Sequence, residues 1–290
     1  MIAFLFPGQG SQKVGMDAGL ARARFEEANE ALGFDLANII AEGPEAELQR
    51  TAITQPAILT VSIAVSDKLK QEGIVADVAA GHSLGEYSAL VHAGALNFAD
   101  AVRLVHLRGK FMQEAVPEGQ GAMAAIIGLD GAMVAEICKS ASSGDGACQP
   151  ANFNGAGQVA ISGHKPAVER AMAECKAKGA KLVKALPVSA PFHSALMAPA
   201  QEKLRIELER VKVQPFSLPI YANVTAEPNQ DSARVKELLT TQVTGSVRWE
   251  ETIKNMAARG VIEAYEVGPG KVLSGLVKRI APTIVLKELS

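Results

Sequence analysis

The chain has 290 residues, the upper end of what a single hydrophobic core supports, so it predicts either one domain carrying an insertion or two domains. With 48% hydrophobic and 21% charged residues it is not a disordered chain, and a net charge of −2 gives no general electrostatic case for nucleic acid. No run approaches the roughly 20 apolar residues that span a bilayer, and MIAFLFPGQG lacks the basic start and long apolar stretch of a signal peptide. Cys138, Cys148 and Cys175 are odd in number and show no metal-ligand spacing. Free thiols in a reducing cytoplasm are the expectation.

In chain order, 2–6 is an apolar run stopped by Pro7-Gly8 and reads as a buried strand. Residues 56–69 have helical length and spacing, with Pro56 suited to the first turn. A second buried strand is expected at 75–80. Beyond Ser83, Leu84, Tyr87, Leu90 and Val91 fall on one helix face, and 98–112 reads as helix. Alternating strands and helices predict an α/β fold with a parallel sheet covered on both sides. The middle differs: strand 124–129, helix 132–140, strands 149–153 and 158–162 joined by a turn at 154–157, helix 166–178, strand 181–188. That β-α-β-β-α-β order predicts a small ferredoxin-like subdomain inserted at 119–189. The α/β pattern resumes with helix 201–211, strand 218–223, helix 249–258 and strand 262–267, which ends in Gly268-Pro269-Gly270. The larger subdomain is thus expected to comprise 1–118 and 190–290.

Between the expected strand at 75–80 and the helix that follows stands Gly81-His82-Ser83-Leu84-Gly85. This G-x-S-x-G pattern is that of a nucleophile elbow and marks the larger subdomain as α/β-hydrolase-like. A sharp turn lifts the hydroxyl above the sheet, and glycines on either side remove the Cβ atoms that would collide with strand and helix. A bland alternative is Ser83 as a helix N-cap.

A serine nucleophile needs a base. His82 adjoins Ser83 and is expected to point away from it. His92 and His106 lie within helices, and His164 is expected exposed near a turn. His193 sits in a proline-containing loop after a strand, and base after nucleophile is the chain order of α/β enzymes. A third member should orient the base, yet the candidate acids Asp130, Asp145 and Glu174 have no special context. A backbone carbonyl could take that part. Arg108, inside an otherwise apolar helix, is either a surface residue with a buried stem or a buried anion clamp whose planar fork fits a carboxylate.

Six separated motifs then converge: Phe6-Pro7-Gly8-Gln9-Gly10-Ser11-Gln12, Thr54-Gln55-Pro56-Ala57, Gly81 to Tyr87, Arg108-Gly109-Lys110, Ala190-Pro191-Phe192-His193 and Val267-Gly268-Pro269-Gly270. In this order they resemble the malonyl-CoA:acyl carrier protein transacylase family, over essentially the whole chain. The resemblance implies a ping-pong acyl transfer. Ser83 would take malonyl from coenzyme A and yield it to the phosphopantetheine thiol of an acidic acyl carrier protein, with His193 as base and later acid. It further implies an oxyanion hole from the backbone N–H groups of Gln9 and Leu84, Arg108 on the malonyl carboxylate, and the Gln242 carbonyl orienting His193. Phe192, Met112 and Gln55 would line the pocket, and a bulky Phe192 would crowd a methyl branch next to the carboxylate. No cofactor, no metal and a cytoplasmic monomer are expected. Basic clusters at Lys176, Lys178, Lys181 and Lys184, and at Lys271, Lys278 and Arg279, are candidates for docking the carrier. The rival readings are a serine esterase or thioesterase, which calls for an acidic triad member and no buried arginine, and an inert acyl-thioester-binding module, which calls for a missing nucleophile or base.

Overall fold

The computed structural model describes residues 1–142, 146–188 and 190–288, so Asp145 and Ser189 lie outside the described residues. A six-stranded sheet runs in the order Val285–Lys287, Glu263–Glu266, Ile2–Phe6, Val78–Gly81, Ile220–Tyr221 and Pro228–Asn229. All neighbours are parallel except the last pair, so the sheet is mixed. Side-chain alternation along Ile2–Phe6 divides the strand between two cores. Phe4 and Phe6 enter the larger, with helices Thr51–Gln71, Gly85–His92 and Phe98–Glu114. Ala3 and Leu5 enter the other, with helices Trp249–Ala258 and Val272–Ile280. Burial on both faces explains why this strand is a continuous apolar run.

Helix Thr51–Gln71 is buried nearly all round, as a central core helix should be. It begins five residues before the expected start, so Pro56 lies inside it rather than in its first turn. Proline has no N–H to give the carbonyl of residue 52. The His106 ring supplies the missing donor: its Nδ1 lies 2.8 Å from the Ala52 carbonyl oxygen.

A second, wholly antiparallel sheet has the order Cys148–Gly155, Gln158–His164, Gly121–Ile127 and Leu182–Ala185. Helices Gly131–Ala141 and Lys165–Ala177 close a core around Ile126, Val134, Ile161 and Val168. The strand expected at 181–188 stops at Ala185. Pro187 cannot donate to a ladder, and the chain turns back, with the Val188 N–H on the Leu186 carbonyl. Leu186, Val188 and Phe192 then pack against Met123, Ala151 and Ala160, on the opposite side of this sheet from its helices. The strand expected at 218–223 shortens to Ile220–Tyr221, which frees Asn223 for the active site. His164 is not the exposed residue expected: it is half-buried, and its Nδ1 accepts the Ala147 N–H at 3.0 Å.

Candidate active site

Strand Val78–Gly81 delivers Ser83 to the turn before helix Gly85–His92. Ser83 has φ 52°, in the left-handed region that side chains rarely adopt. Two close approaches make the turn possible. A Cβ on Gly81 would run into the backbone of Gly85 and Glu86, and a Cβ on Gly85 would run into the Phe6 carbonyl. The strained serine is held at both ends of its backbone. Its N–H donates to Asn223 Oδ1 at 2.7 Å, and its carbonyl accepts from Gln242 Nε2 at 2.9 Å.

His193 is brought to Ser83 from 110 residues away, with Nε2 2.7 Å from Ser83 Oγ. Its Nδ1 faces two carbonyls, Gln242 at 2.9 Å and Gly245 at 3.1 Å. Carbonyls only accept, so the proton sits on Nδ1 and Nε2 is bare toward the hydroxyl. Burial, reinforced by the Arg108 charge, depresses the imidazole to about 3, so at ordinary pH it is neutral and its Nε2 is unprotonated. The structure places the Gln242 carbonyl, and a second from Gly245, where a triad acid would stand. Asp130 instead caps helix Gly131–Ala141, and Glu174 lies in helix Lys165–Ala177 of the other core. Of the other histidines, His82 turns from the nucleophile to Asn154 Oδ1 at 2.9 Å and packs against Trp249, and His92 bonds Ser66.

Arg108 is 1% exposed, which excludes the surface reading. Its Nη1 donates to Gln55 Oε1 at 2.8 Å, and its Nη2 to Gln242 Oε1 at 2.9 Å and to Ser83 Oγ at 3.2 Å. The guanidinium stands over the Tyr87 ring at 5.5 Å. No carboxylate lies within ion-pair distance of it among the described residues, and its buried Nε makes no hydrogen bond. Burial lowers its pKa, but arginine starts so high that it keeps its charge.

These groups open on a cleft of about 460 Å³ lined by Gln9, Gln55, Ser83, Leu84, Arg108, Met112, Phe192 and His193. All the side chains expected in the pocket therefore meet there. Gln242 stands just behind, fully buried. The backbone N–H groups of Gln9 and Leu84 make no hydrogen bond among the described residues.

Three participants were not singled out from the sequence. Asn223 holds the Ser83 N–H and donates its amide to the Gly81 carbonyl at 2.7 Å. Gln149 Nε2 donates to the His193 carbonyl at 3.2 Å and fixes the base's loop. Glu86 is a carboxyl only 3% exposed, beneath the elbow. Its signal was available: a charge in an apolar helix, the same cue that marks Arg108.

Fold and site together define an α/β acyltransferase with a serine nucleophile. The chain belongs to the acyl transferase domain family, whose model matches residues 3–279. It is 52% identical over 295 residues to the malonyl CoA-acyl carrier protein transacylase of Escherichia coli K12, covering 99% of this chain and 95% of that one. A crystal structure of an acyl carrier protein S-malonyltransferase from Vibrio cholerae superposes with a TM-score of 0.96 at 46% identity, covering 98% of this chain and 95% of that one. A malonyl-transacylase solved in complex with a type II polyketide synthase acyl-carrier protein gives 0.95 at 46% identity, covering 98% and 94%.

Proposed function

We propose that this protein transfers malonyl from coenzyme A to the phosphopantetheine thiol of acyl carrier protein through a malonyl ester on Ser83. The observation that carries the reading is the meeting of Ser83 Oγ with both His193 Nε2 at 2.7 Å and Arg108 Nη2 at 3.2 Å. Nucleophile, base and a buried cation then share a space that fits a short acyl chain ending in carboxylate.

Ser83 Oγ attacks the thioester carbonyl as its proton passes to His193 Nε2. The negative charge that develops on the carbonyl oxygen is met by the Gln9 and Leu84 N–H groups. Collapse breaks the C–S bond, and the coenzyme A thiol leaves with the proton from His193. In the second half, the carrier's thiol gives its proton to His193 and attacks the ester carbonyl, and Ser83 recovers its proton as the new thioester forms. Every proton and electron pair is accounted for by Ser83, His193 and the two thiols, so the cycle is written without metal or cofactor. Arg108 pairs with the malonyl carboxylate and holds the acyl-serine in one pose, which favours an aligned thiol over passing water.

The larger sheet and its helices are, in this reading, the α/β-hydrolase-like subdomain of 1–118 and 190–290. The 119–189 insertion is the ferredoxin-like one, and it roofs the cleft. Separate cores support that division. The acidic carrier docks on the lysines at 176–184 or on Lys271, Lys278 and Arg279. Its transfer rate should fall steeply with salt, and reversing the charge of the correct cluster should remove that dependence. We place the enzyme in the cytoplasm as a monomer. Among the described residues no helix is long and apolar enough to cross a membrane, and Cys138, Cys148 and Cys175 carry free, buried thiols.

The esterase reading is disfavoured by the two carbonyls behind His193 and by the buried Arg108, and the binding-module reading by the intact Ser83–His193 pair. Incubation with malonyl-CoA followed by intact-mass measurement tests the proposal. A gain of one malonyl group, lost in Ser83→Ala and discharged by carrier protein, is expected. No adduct, or discharge to water as fast as to the carrier, overturns it.

A further inference from the structure

Arg108 and Glu86 are the two buried charges of the site, and they do not touch. One amide joins them. Gln242 Oε1 accepts from Arg108 Nη2 at 2.9 Å, and Gln242 Nε2 donates to Glu86 Oε2 at 2.8 Å. The Asn223 N–H reaches the same Glu86 oxygen at 3.1 Å. The same Gln242 amide also donates to the Ser83 carbonyl, and its backbone carbonyl aligns His193. A charge placed on Glu86 is therefore felt at the guanidinium through one polarised amide.

A buried cation needs compensation. With the cleft empty, ionised Glu86 and Arg108 balance. A substrate carboxylate that pairs with Arg108 leaves one guanidinium among two carboxylates in a water-poor site, where like charges are costly.

Resting on the malonyl-transfer reading, we propose that Glu86 is a positioning residue, the resident counter-charge of Arg108 held through Gln242, and that it takes up a proton when the substrate's free carboxylate docks. Both donated hydrogen bonds fall on Oε2, which leaves Oε1 to carry the proton. Burial already raises this carboxyl to about 7, so a modest push protonates it. The far side of Glu86 lines a cavity of about 10 Å³ with Leu90, Ile220, Asn229 and Val235, room for about one water to relay the proton. Arg108 is the charged group facing Glu86, from helix Phe98–Glu114, and Tyr87 is its titratable neighbour on its own helix. Strand Ile220–Tyr221 with the following Ala222, strand Pro228–Asn229 and helix Val235–Gln242 present Ile220, Ala222, Asn229, Val235, Leu238 and Gln242 to this region, none of them ionisable. Tyr87 is pushed up to about 12 and does not compete for the proton near neutrality.

The arrangement gives a means of selection. A carboxylated acyl group brings its own charge and releases Glu86 from its task, whereas acetyl leaves the Arg108–Glu86 balance as it was. Proton uptake should thus accompany malonyl and not acetyl.

The test is calorimetric titration of Ser83→Ala protein with malonyl-CoA and with acetyl-CoA at pH 8, in buffers of different ionisation enthalpy. The acetyl thioester cancels any proton linked to the nucleotide. Malonyl-CoA should take up about one proton more than acetyl-CoA, and the excess should vanish in Ser83→Ala/Glu86→Gln. Equal uptake for the two thioesters, or an excess that survives Glu86→Gln, overturns the proposal. Should the double variant fail to fold, infrared difference spectra of the Ser83→Ala protein decide. Malonyl-CoA and not acetyl-CoA must raise a protonated-carboxyl band, and its absence overturns the assignment. Failure of malonyl-CoA to bind at all, with no adduct on the native enzyme, rejects the transfer reading itself.

Discussion

Ser83 Oγ and His193 Nε2 lie 2.7 Å apart, and both residues hold left-handed backbone, at φ 52° and 55°. The proposed nucleophile and base are thus both presented by strained turns. Such a conformation costs a residue with a side chain on the order of 1–3 kcal/mol. Glycine escapes that cost. Ser83→Gly should therefore abolish the covalent adduct and yet raise unfolding free energy by about 1 kcal/mol, measured by denaturant titration. A destabilised Ser83→Gly protein would mean that the turn stores no strain.

The depressed imidazole sets the acid limit. A base of pKa about 3 is neutral throughout the ordinary range, so single-turnover loading of Ser83 should show no protonation of His193 between pH 5 and 8. The Arg108 cation contributes to that depression, and its removal lets the imidazole rise toward its usual value. Arg108→Gln should move the acid limb of loading to higher pH, read from rapid-quench rates across pH. The same shift affects folding. The unfolded chain binds protons below about 6.5 that buried His193 and His92 (about 4) refuse, so these residues make stability fall as pH falls from 6.5.

In the proposed reaction Arg108 is also the selectivity element. Replacement by alanine should lower kcat/KM for malonyl loading by about 10²–10³, the scale of a lost buried charge-assisted pair. Acetyl loading should change far less. Arg108→Lys should recover little, because one ammonium cannot reproduce the fork that reaches Gln55, Gln242 and Ser83 together. Equal losses for acetyl and malonyl would assign Arg108 to packing instead.

Phe192 is half-buried on the cleft wall, one residue before the base. One methyl group is worth about 1–3 kcal/mol of discrimination in a pocket. Phe192→Ser should raise the ratio of methylmalonyl to malonyl loading by about 10-fold, measured by competition of the two thioesters. An unchanged ratio removes Phe192 from the selection.

The elbow was legible because steric demand writes itself locally: Gly81 and Gly85 are needed where backbone meets backbone. The parallel part of the larger sheet was legible in apolar runs such as Ile2–Phe6, but not its antiparallel edge at Pro228–Asn229, and the small sheet was legible in its element order. Helices Ala23–Leu32, Leu36–Glu42, Val235–Gln242 and Val272–Ile280 were not assigned from the sequence. They span only seven to ten residues, too few turns for a repeated apolar spacing to stand out, although Val272–Ile280 does bury Leu273, Leu276 and Val277 on one face. Asn223, Gln149 and Glu86 were missed for a different reason. Each makes its contacts with residues 44 to 156 positions away, a relation that spacing does not encode. Arg108 and Glu86 gave the same cue, a charge among apolar helix residues, but only the first has a planar fork that suggests a ligand.

Pro56 offers a last, separable test. It lies mid-helix, and the Ala52 carbonyl it deprives of a partner is met by His106 Nδ1 at 2.8 Å. Ala52 and His106 are only half-buried, so the unmet carbonyl costs nearer the low end of the roughly 1–3 kcal/mol of a fully buried group, and His106→Ala should destabilise by about 1 kcal/mol. Pro56→Ala restores the backbone N–H and with it the ordinary helical bond to Ala52. In that background His106→Ala should cost less, with a coupling of about 1 kcal/mol in a double-mutant cycle followed by denaturant unfolding. Additive losses would show that the ring and the proline act independently, and that the helix tolerates its proline by some other means.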